Sequence, residues 1–173
     1  MPVDSESAPA NELQVTFRDV TDADFEWLIT LRQETMGPHL ERSGRPLSPA
    51  EDRRRVQQDY QHIQILETDG VSIGMLKVIK TRDAWKVVQI QIVPDHQGRG
   101  IGSQVLAGLL AKAADADAPV VLSVLRVNPA KRLYERLGFR VVGEKPWAFE
   151  MRADPQQRSR RSSRVPDMPL DDG

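Results

Sequence analysis

The sequence contains no cysteine. This absence excludes a disulfide framework, a thiolate metal site and a covalent cysteine intermediate. The chain also lacks an apolar run long enough to span a bilayer, and its beginning, from Met1 to Leu13, is polar and acidic, unlike a signal peptide. We therefore expect a cytoplasmic protein that has no membrane partner.

The sequence also lacks an excess of positive or negative charge. The chain has 24 Lys and Arg residues against 25 Asp and Glu residues, which gives a net charge of −1. This balance provides no general attraction to nucleic acid or to acidic membranes. The spacing of the His, Asp and Glu residues does not suggest a metal site either. We expect neither a metal nor a nucleic-acid partner.

The length of 173 residues suits one domain with a sizeable core. Composition divides the chain into three parts. Residues 1–12 are predicted to be a disordered N-terminal segment, residues 13–152 the folded domain, and residues 153–173 a disordered polar tail. The arginine-rich stretch of the tail has no aromatic residues to stack on bases, and nearby acidic residues offset its charge.

Local signals predict where the first helices begin and end. Thr21-x-x-Asp24 and Ser48-Pro49-Ala50-Glu51 are typical of helix N-termini, because each pairs a capping side chain with an acid three residues later. The first helix is expected to run to about Met36, where Gly37-Pro38 ends it.

The strands are predicted from alternation and from turn residues. Asp69-Gly70, between two apolar runs, is a two-residue hairpin signal. In the predicted strand at residues 85–93, the alternation of apolar residues changes phase between Val87 and Val88. Such a change indicates a bulge or a sharp twist.

The most informative stretch is Val-Pro-Asp-His-Gln-Gly-Arg-Gly-Ile-Gly, residues 93–102. It joins a predicted strand to a helix with an apolar stripe, and it leaves bare backbone N–H groups at the helix N-terminus, which favour a phosphate. No Lys-Ser/Thr follows, which excludes a Walker A loop. Ser103 stands where a dinucleotide fingerprint needs its third glycine. The stretch therefore predicts a cradle for a phosphorylated cofactor of another kind.

A second stretch follows the buried strand predicted at residues 119–127. Asn128 suits a helix N-cap and Pro129 the first helical position. Tyr134 falls on the apolar face of this helix. Gly138 stands just past the helix end, where a left-handed backbone conformation is needed.

Together the two stretches resemble the GNAT family of N-acetyltransferases. The coenzyme A loop of that family has the pattern Arg/Gln-x-x-Gly-x-Gly/Ala, which Gln97-x-x-Gly100-x-Gly102 matches, and its later motif runs from Asn through Ala and Tyr to Leu-Gly-Phe. The resemblance covers residues 15–152. It implies an α/β (α+β) fold in one domain, with a central mixed and splayed sheet of about six to seven strands flanked by about four helices.

The resemblance also implies the partners and the residues that bind them. The partners are acetyl-CoA as co-substrate and a primary amine as acceptor, and a homodimer is left open. Tyr134 would be the general acid that protonates the departing thiolate, with a plain core role as the alternative. The implied cofactor-binding residues are Ile92, Val93, Gln97, Gly98, Arg99, Gly100, Ile101, Gly102, Ser103, Asn128 and Tyr134.

The sequence departs from the family at the general base. Many relatives carry Glu on the strand before the glycine loop or on the strand that ends at Asn, but here the candidates are Gln89, Gln91 and Ser123. A glutamine amide cannot accept a proton at neutral pH. We predict instead that Gln89 positions a water that takes the proton from the amine.

Other acceptor-site candidates lie in the segment that the family uses to cover the acceptor. Glu34 and Glu41 are the carboxylates found there, and His39 with Glu41 is predicted to line the acceptor pocket. Two functions stay open. One is an acetyl-CoA-dependent N-acetyltransferase that works by direct transfer, and the other is a non-catalytic acyl-CoA-binding module of the same fold.

Overall fold

The computed structural model describes residues 13–156. The predicted disordered segment at residues 1–12, and residues 157–173 of the predicted polar tail, lie outside this range. The strands are β1 (Thr16–Asp19), β2 (Ile63–Thr68), β3 (Val71–Lys80), β4 (Trp85–Ile92), β5 (Val120–Leu125), β6 (Arg140–Glu144) and β7 (Ala148–Ala153). The helices are α1 (Phe25–Arg42), α2 (Pro49–Gln57), α3 (Ile101–Asp115) and α4 (Lys131–Arg136).

The seven strands form one mixed sheet in the order β1-β2-β3-β4-β5-β7-β6. Only β4 and β5 pair in parallel, and α3 makes the crossover between them. The hairpin at Asp69-Gly70 lies where predicted, because both residues adopt the positive φ that this turn requires. The sequence thus predicted the fold class, the number of strands and the four helices.

Two apolar clusters cover the two faces of this sheet. One contains side chains of α3 and α4, and the other contains side chains of α1 and α2. Neighbouring residues of β2 divide between them, Leu66 with α3 and Ile65 with α1, because successive strand side chains point to opposite faces. None of the helices between residues 13 and 156 combines the length and the apolar composition needed to cross a bilayer.

The sheet opens in its middle. β4 pairs with β5 only from Trp85 to Val87, although both strands continue beyond that point. On the other edge of β4, Lys77 lies opposite Gln89, but the next residue of β3 lies opposite Val87. Val88 is therefore an extra residue, a bulge at the predicted change of phase, and beyond it β4 and β5 diverge.

The expected end of α1 is wrong. The helix does not stop at Gly37-Pro38 but continues to Arg42, with Pro38 inside it. A proline removes one backbone hydrogen bond, which packing can offset. Arg32, Met36 and Leu40, spaced one turn apart on one helix face, line a cavity above the sheet. The extra turns thus place Leu40 beside this cavity, a position that local sequence cannot show.

Candidate functional site

Two cavities meet where β4 and β5 diverge. The larger, about 520 Å³, is lined by the glycine loop at residues 97–100, the first turn of α3 and the start of α4, and we name it the glycine-loop cavity. The smaller, about 260 Å³, lies over β4 and β5 and is lined by three arginines, and we name it the arginine cavity. Both cavities are lined by the same five residues, which are Met36, Ile90, Gln91, Asn128 and Tyr134.

The glycine loop takes its shape from two left-handed residues. Gly98 and Gly100 have φ of 75° and 77°, a region that residues with a side chain rarely adopt. Gln97 turns its side chain back, and its Nε2 donates to the carbonyl oxygen of Ile92 at 2.9 Å. This bond closes the loop against the end of β4.

The start of α3 presents free backbone donors to the glycine-loop cavity. The Gln104 N–H donates to the Gly100 carbonyl at 3.0 Å, as the first bond of the helix ladder. The N–H groups of residues 101–103 precede it and have no acceptor within the helix. With the helix dipole, they form a place where an anion such as a phosphate can be held.

The predicted start of the second motif's helix is wrong by two residues. α4 begins at Lys131, after a turn, so Asn128 is not its N-cap and Pro129 is not its first residue. The Asn128 side chain still serves the turn, because its Oδ1 accepts the N–H of Ala130 at 2.9 Å. The amide nitrogen of Asn128 remains available to a ligand at the junction of the two cavities.

The predicted end of α4 is confirmed. Gly138 has φ of 98°, its N–H donates to the Glu135 carbonyl, and the Phe139 N–H donates to the Tyr134 carbonyl at 3.0 Å. This is the Schellman arrangement, which requires a left-handed residue at that position. The rings of Tyr134 and Phe139 pack edge to face with centroids 5.9 Å apart. The cap therefore holds Tyr134 in place.

Tyr134 is 8% exposed and lines both cavities. Burial raises the pKa of its phenol above the ordinary value, because desolvation disfavours the phenolate. Tyr134 thus carries its proton at neutral pH, as a general acid must.

Gln91 is the site residue to which sequence reasoning gave too little weight. It is 3% exposed, it lines both cavities, and its Nε2 is buried with no partner among the described residues. A buried amide donor without a partner is rare in proteins, and this one faces two cavities from which a ligand or a water could supply the acceptor. Gly74 allows β4 this position, because a Cβ there would lie 2.4 Å from the Gln91 carbonyl oxygen. A glycine inside a strand is the sequence signal for such close approach.

The arginines of the arginine cavity come from α1, from α2 and from the loop between them. Arg32 is 6% exposed, and its Nε donates to the buried Asp52 carboxylate at 2.9 Å. The guanidinium of Arg45 lies 4.3 Å from the ring centroid of Trp147. Arg55, on α2, completes the set. Sequence reasoning missed these residues because no local pattern connects them.

The structure places most predicted cofactor residues together. Those that line the glycine-loop cavity are Ile92, Gln97, Gly98, Gly100, Ile101, Gly102, Ser103, Asn128 and Tyr134. Val93 and Arg99 belong to the same segment but are not among its lining residues. Arg99 is exposed, whereas the Val93 N–H donates to the Ile73 carbonyl at 2.8 Å.

The predicted acceptor and base residues are scattered. Gln89 lines the arginine cavity, but His39 lines the glycine-loop cavity. Burial, and then the nearby Arg42 charge, lower the pKa of His39. Glu34 and Glu41 are exposed and line neither cavity. Between residues 13 and 156, no group of three or more His, Asp or Glu side chains is placed to hold a metal ion.

Comparison with known proteins gives a family and a fold. A family model described as an acetyltransferase (GNAT) domain matches residues 34–150. The PaiA N-acetyltransferase from Thermoplasma acidophilum, solved in complex with coenzyme A, is 16% identical with a TM-score of 0.66, over 82% of this chain and 99% of that chain. An acetyltransferase from Thermus thermophilus is 22% identical with a TM-score of 0.67, over 83% of this chain and 98% of that chain.

A third solved structure has a protein substrate in its name. The ribosomal-protein-S18-alanine N-acetyltransferase from Escherichia coli is 18% identical with a TM-score of 0.62, over 86% of this chain and 98% of that chain. At these identities the likeness is one of fold. The search of curated proteins finds no match to the sequence.

Proposed function

The chain belongs to the GNAT acetyltransferase family, and we propose on this premise that it transfers an acetyl group from acetyl-CoA directly to a primary amine. The observation that carries the proposal is the meeting of the two cavities at Tyr134 and Gln91. A donor in one cavity and an acceptor in the other would face each other at a residue able to donate a proton.

The residues of the glycine-loop cavity fit coenzyme A. The outward N–H groups of residues 101–103 would hold its diphosphate, at a helix N-terminus that two left-handed glycines leave open. The unpartnered amide of Gln91 and the amide nitrogen of Asn128 would face the pantetheine arm. The coenzyme A in the PaiA structure supports this choice of ligand.

Acetyl-CoA, when bound, would supply a thioester carbonyl that an amine can attack. As the new C–N bond forms and the C–S bond breaks, Tyr134 would give its phenolic proton to the sulfur and regain one from solvent. Gln89 would hold a water in the arginine cavity, and this water would take the proton that the amine loses. No covalent bond to the protein is needed.

The experiment combines thiol release with binding. We expect acetyl-CoA to raise the melting temperature, because a ligand that binds only the folded state stabilises it. We also expect release of free thiol that depends on an added amine. Binding without release by any amine would favour the non-catalytic acyl-CoA-binding module.

Two glycines of α3 offer a matched pair of variants. Gly102 lines the glycine-loop cavity and a Cβ there would have only an ordinary contact at 3.8 Å, whereas a Cβ at Gly108 would meet no atom within 4 Å. Gly102→Val should therefore weaken acetyl-CoA binding and abolish the thermal shift, while Gly108→Val should leave both unchanged. Equal binding by the two variants would overturn the assignment of the loop.

A further inference from the structure

We infer that the acceptor amine carries an anionic group, a carboxylate or a phosphate, which the arginine cavity binds. We infer further that the charge of the same arginines lowers the pKa of the amine and so takes the part of the missing base. This inference rests on the proposed function and names its substrate class.

The first step is the charge of the cavity lining. Of the residues that line the arginine cavity, three are arginines and none is Asp or Glu. Arg32 is compensated by its buried ion pair with Asp52. Arg45 and Arg55 form no ion pair with any carboxylate in residues 13–156, whereas Arg53 and Arg54 on the outer side of α2 do. Two positive charges therefore remain for a ligand.

The second step concerns what positions Arg45 and Arg55, which are exposed residues: a stack on an aromatic ring for the first, and a fixed helix end for the backbone of the second. Arg45 stacks on Trp147, which reduces the freedom of its long side chain. Arg55 lies at the end of α2, where the buried Lys77 Nζ donates to its carbonyl oxygen at 3.2 Å and to that of Gln58 at 2.6 Å. Because a guanidinium presents paired donors, it suits a carboxylate or a phosphate, and it repels a polyamine.

The third step concerns the proton of the amine. A like charge nearby disfavours the protonated form of an amine, so Arg45 and Arg55 should lower its pKa. The carboxylate of an amino acid raises the pKa of its own amine, and pairing that carboxylate with the arginines removes this effect. Both changes increase the neutral fraction of the amine at pH 7. Such an amine can attack the thioester without a carboxylate base. This agrees with the presence on β4 of Gln89 and Gln91 instead of a glutamate.

Of the other charged groups near the cavity, Glu51 on α2 is close enough to act on Arg55, but its carboxylate accepts the Ser48 N–H and pairs with Arg54. Tyr134, from α4, stays neutral because burial raises its pKa. Asp52, from α2, is engaged with Arg32, and Lys77, from β3, adds positive charge behind α2. Glu150, from β7, is beside Ser123, but it pairs with Lys145 at 2.8 Å. These groups leave the cavity positive.

The experiment uses acceptors that differ in charge. Alanine, O-phosphoserine, alaninamide and 1,4-diaminobutane would be compared in acetyl-CoA-dependent thiol release by the full chain. We expect the two anionic amines to be preferred, and the stronger of them identifies the group that is bound. Arg45→Gln or Arg55→Gln should raise KM for the anionic amines about tenfold, as expected for one charge-assisted hydrogen bond, and should leave KM for acetyl-CoA unchanged.

The pH profile and a neighbouring arginine separate this role from a structural one. Both Gln variants should move the acid limb of kcat/KM to higher pH, because the amine regains its ordinary pKa. Arg55→Glu should shift the preference toward the diamine. Arg54→Gln, one residue away on α2 but not among the residues that line the arginine cavity, should change neither the preference nor the profile.

Failure of the inference can be told apart from failure of the proposed function. Transfer to alaninamide or the diamine that equals or exceeds transfer to the anionic amines overturns the inference and leaves the function intact. If none of the four amines is acetylated, their binding to the protein saturated with coenzyme A is measured instead. If the anionic amines bind more tightly than alaninamide, and replacing either Arg45 or Arg55 weakens that binding, the inference is supported. If the anionic amines bind no more tightly than alaninamide, the inference is overturned. A chain that does not bind acetyl-CoA contradicts the proposed function itself.

Discussion

Tyr134 belongs both to the apolar core and to the lining of the two cavities. Its ring packs against Phe139 inside the α3 and α4 cluster, and the same residue lines both cavities. The apolar spacing on α4 is therefore consistent with a core residue and with a general acid at once. A substitution that keeps the ring and removes the hydroxyl separates the two.

Tyr134→Phe should lower kcat and leave acetyl-CoA affinity and the melting temperature almost unchanged. Loss of a general acid typically costs ~10²–10⁴-fold, and we expect the low end because a thiolate leaves readily even without a proton. Steady-state kinetics under conditions where chemistry is rate-limiting measure this. An unchanged kcat would return Tyr134 to a structural role.

The second tyrosine of the chain is the matched control. The hydroxyl of Tyr60 donates to the Thr21 carbonyl at 2.7 Å, away from both cavities. Tyr60→Phe should reduce the free energy of unfolding by about 1 kcal/mol, the net value of one hydrogen bond. It should not change kcat.

At the scale of single elements, a glycine ends a helix only where it adopts a left-handed backbone conformation. Gly138 ends α4 because its φ of 98° suits no other residue well. Gly37 ends nothing, since it has ordinary helical geometry inside α1. Glycine thus ends α4 but continues α1.

One substitution at Gly138 and at Gly108, a glycine inside α3, should have effects of opposite sign. Gly138→Ala should lower the free energy of unfolding by about 1–2 kcal/mol, because an L residue is strained in the left-handed region. Gly108→Ala should raise it by roughly 0.5–1 kcal/mol, because alanine loses less entropy in a helix. A Cβ at Gly108 would meet no atom within 4 Å, and no proline follows it, so no clash offsets this gain.

Urea denaturation of both variants and the parent measures the difference. Effects of the same sign would mean that Gly108 is not helical in solution, or that Gly138 is not left-handed. Gly138→Ala should also lower kcat, since the cap holds Tyr134.

At the scale of the whole molecule, a buried lysine joins the sheet to the arginine cavity. Lys77 is 1% exposed in β3, and its Nζ donates to the carbonyls of Arg55, Val56 and Gln58 at the end of α2. Three donors meet three acceptors, so α2 is tied to the sheet. Burial lowers the pKa of this ammonium to about 8, from an ordinary value of 10.5.

This pKa predicts how stability depends on pH. Between pH 8 and 10.5, the unfolded chain keeps a proton on Lys77 that the folded chain has lost. Raising the pH in this window therefore favours folding, by roughly 1 kcal/mol per pH unit at most. The contribution of Lys77 to the free energy of unfolding is constant below pH 8, where the folded and the unfolded chain both hold the proton.

The comparison with Lys77→Met isolates this term, because other groups also titrate in alkali. Unfolding free energies of the two proteins, measured from pH 7 to 9.5, should diverge in favour of the parent as the pH rises above 8. Parallel curves would show that Lys77 keeps its ordinary pKa. The variant should also weaken acceptor binding, since α2 carries Arg55.

The features that the sequence determined by itself are those encoded within a few consecutive residues. The hairpin at Asp69-Gly70, the glycine loop and the left-handed Gly138 each depend on a local backbone conformation that particular residues favour. The bulge at Val88 was visible as well, because a change of alternation within one strand is also local. Together these features were enough to indicate the family and the fold.

Tertiary structure alone decided what depends on residues far apart in the chain. α1 continues past Pro38 and brings Leu40 to the cavity above the sheet, a placement that no local pattern shows. The arginine cavity joins Arg32, Arg45 and Arg55 to strands that follow them by more than thirty residues, so no spacing could reveal it. The glycine loop is a property of one short stretch of sequence, whereas the arginine cavity, where we propose that the acceptor binds, is a property of how distant elements pack.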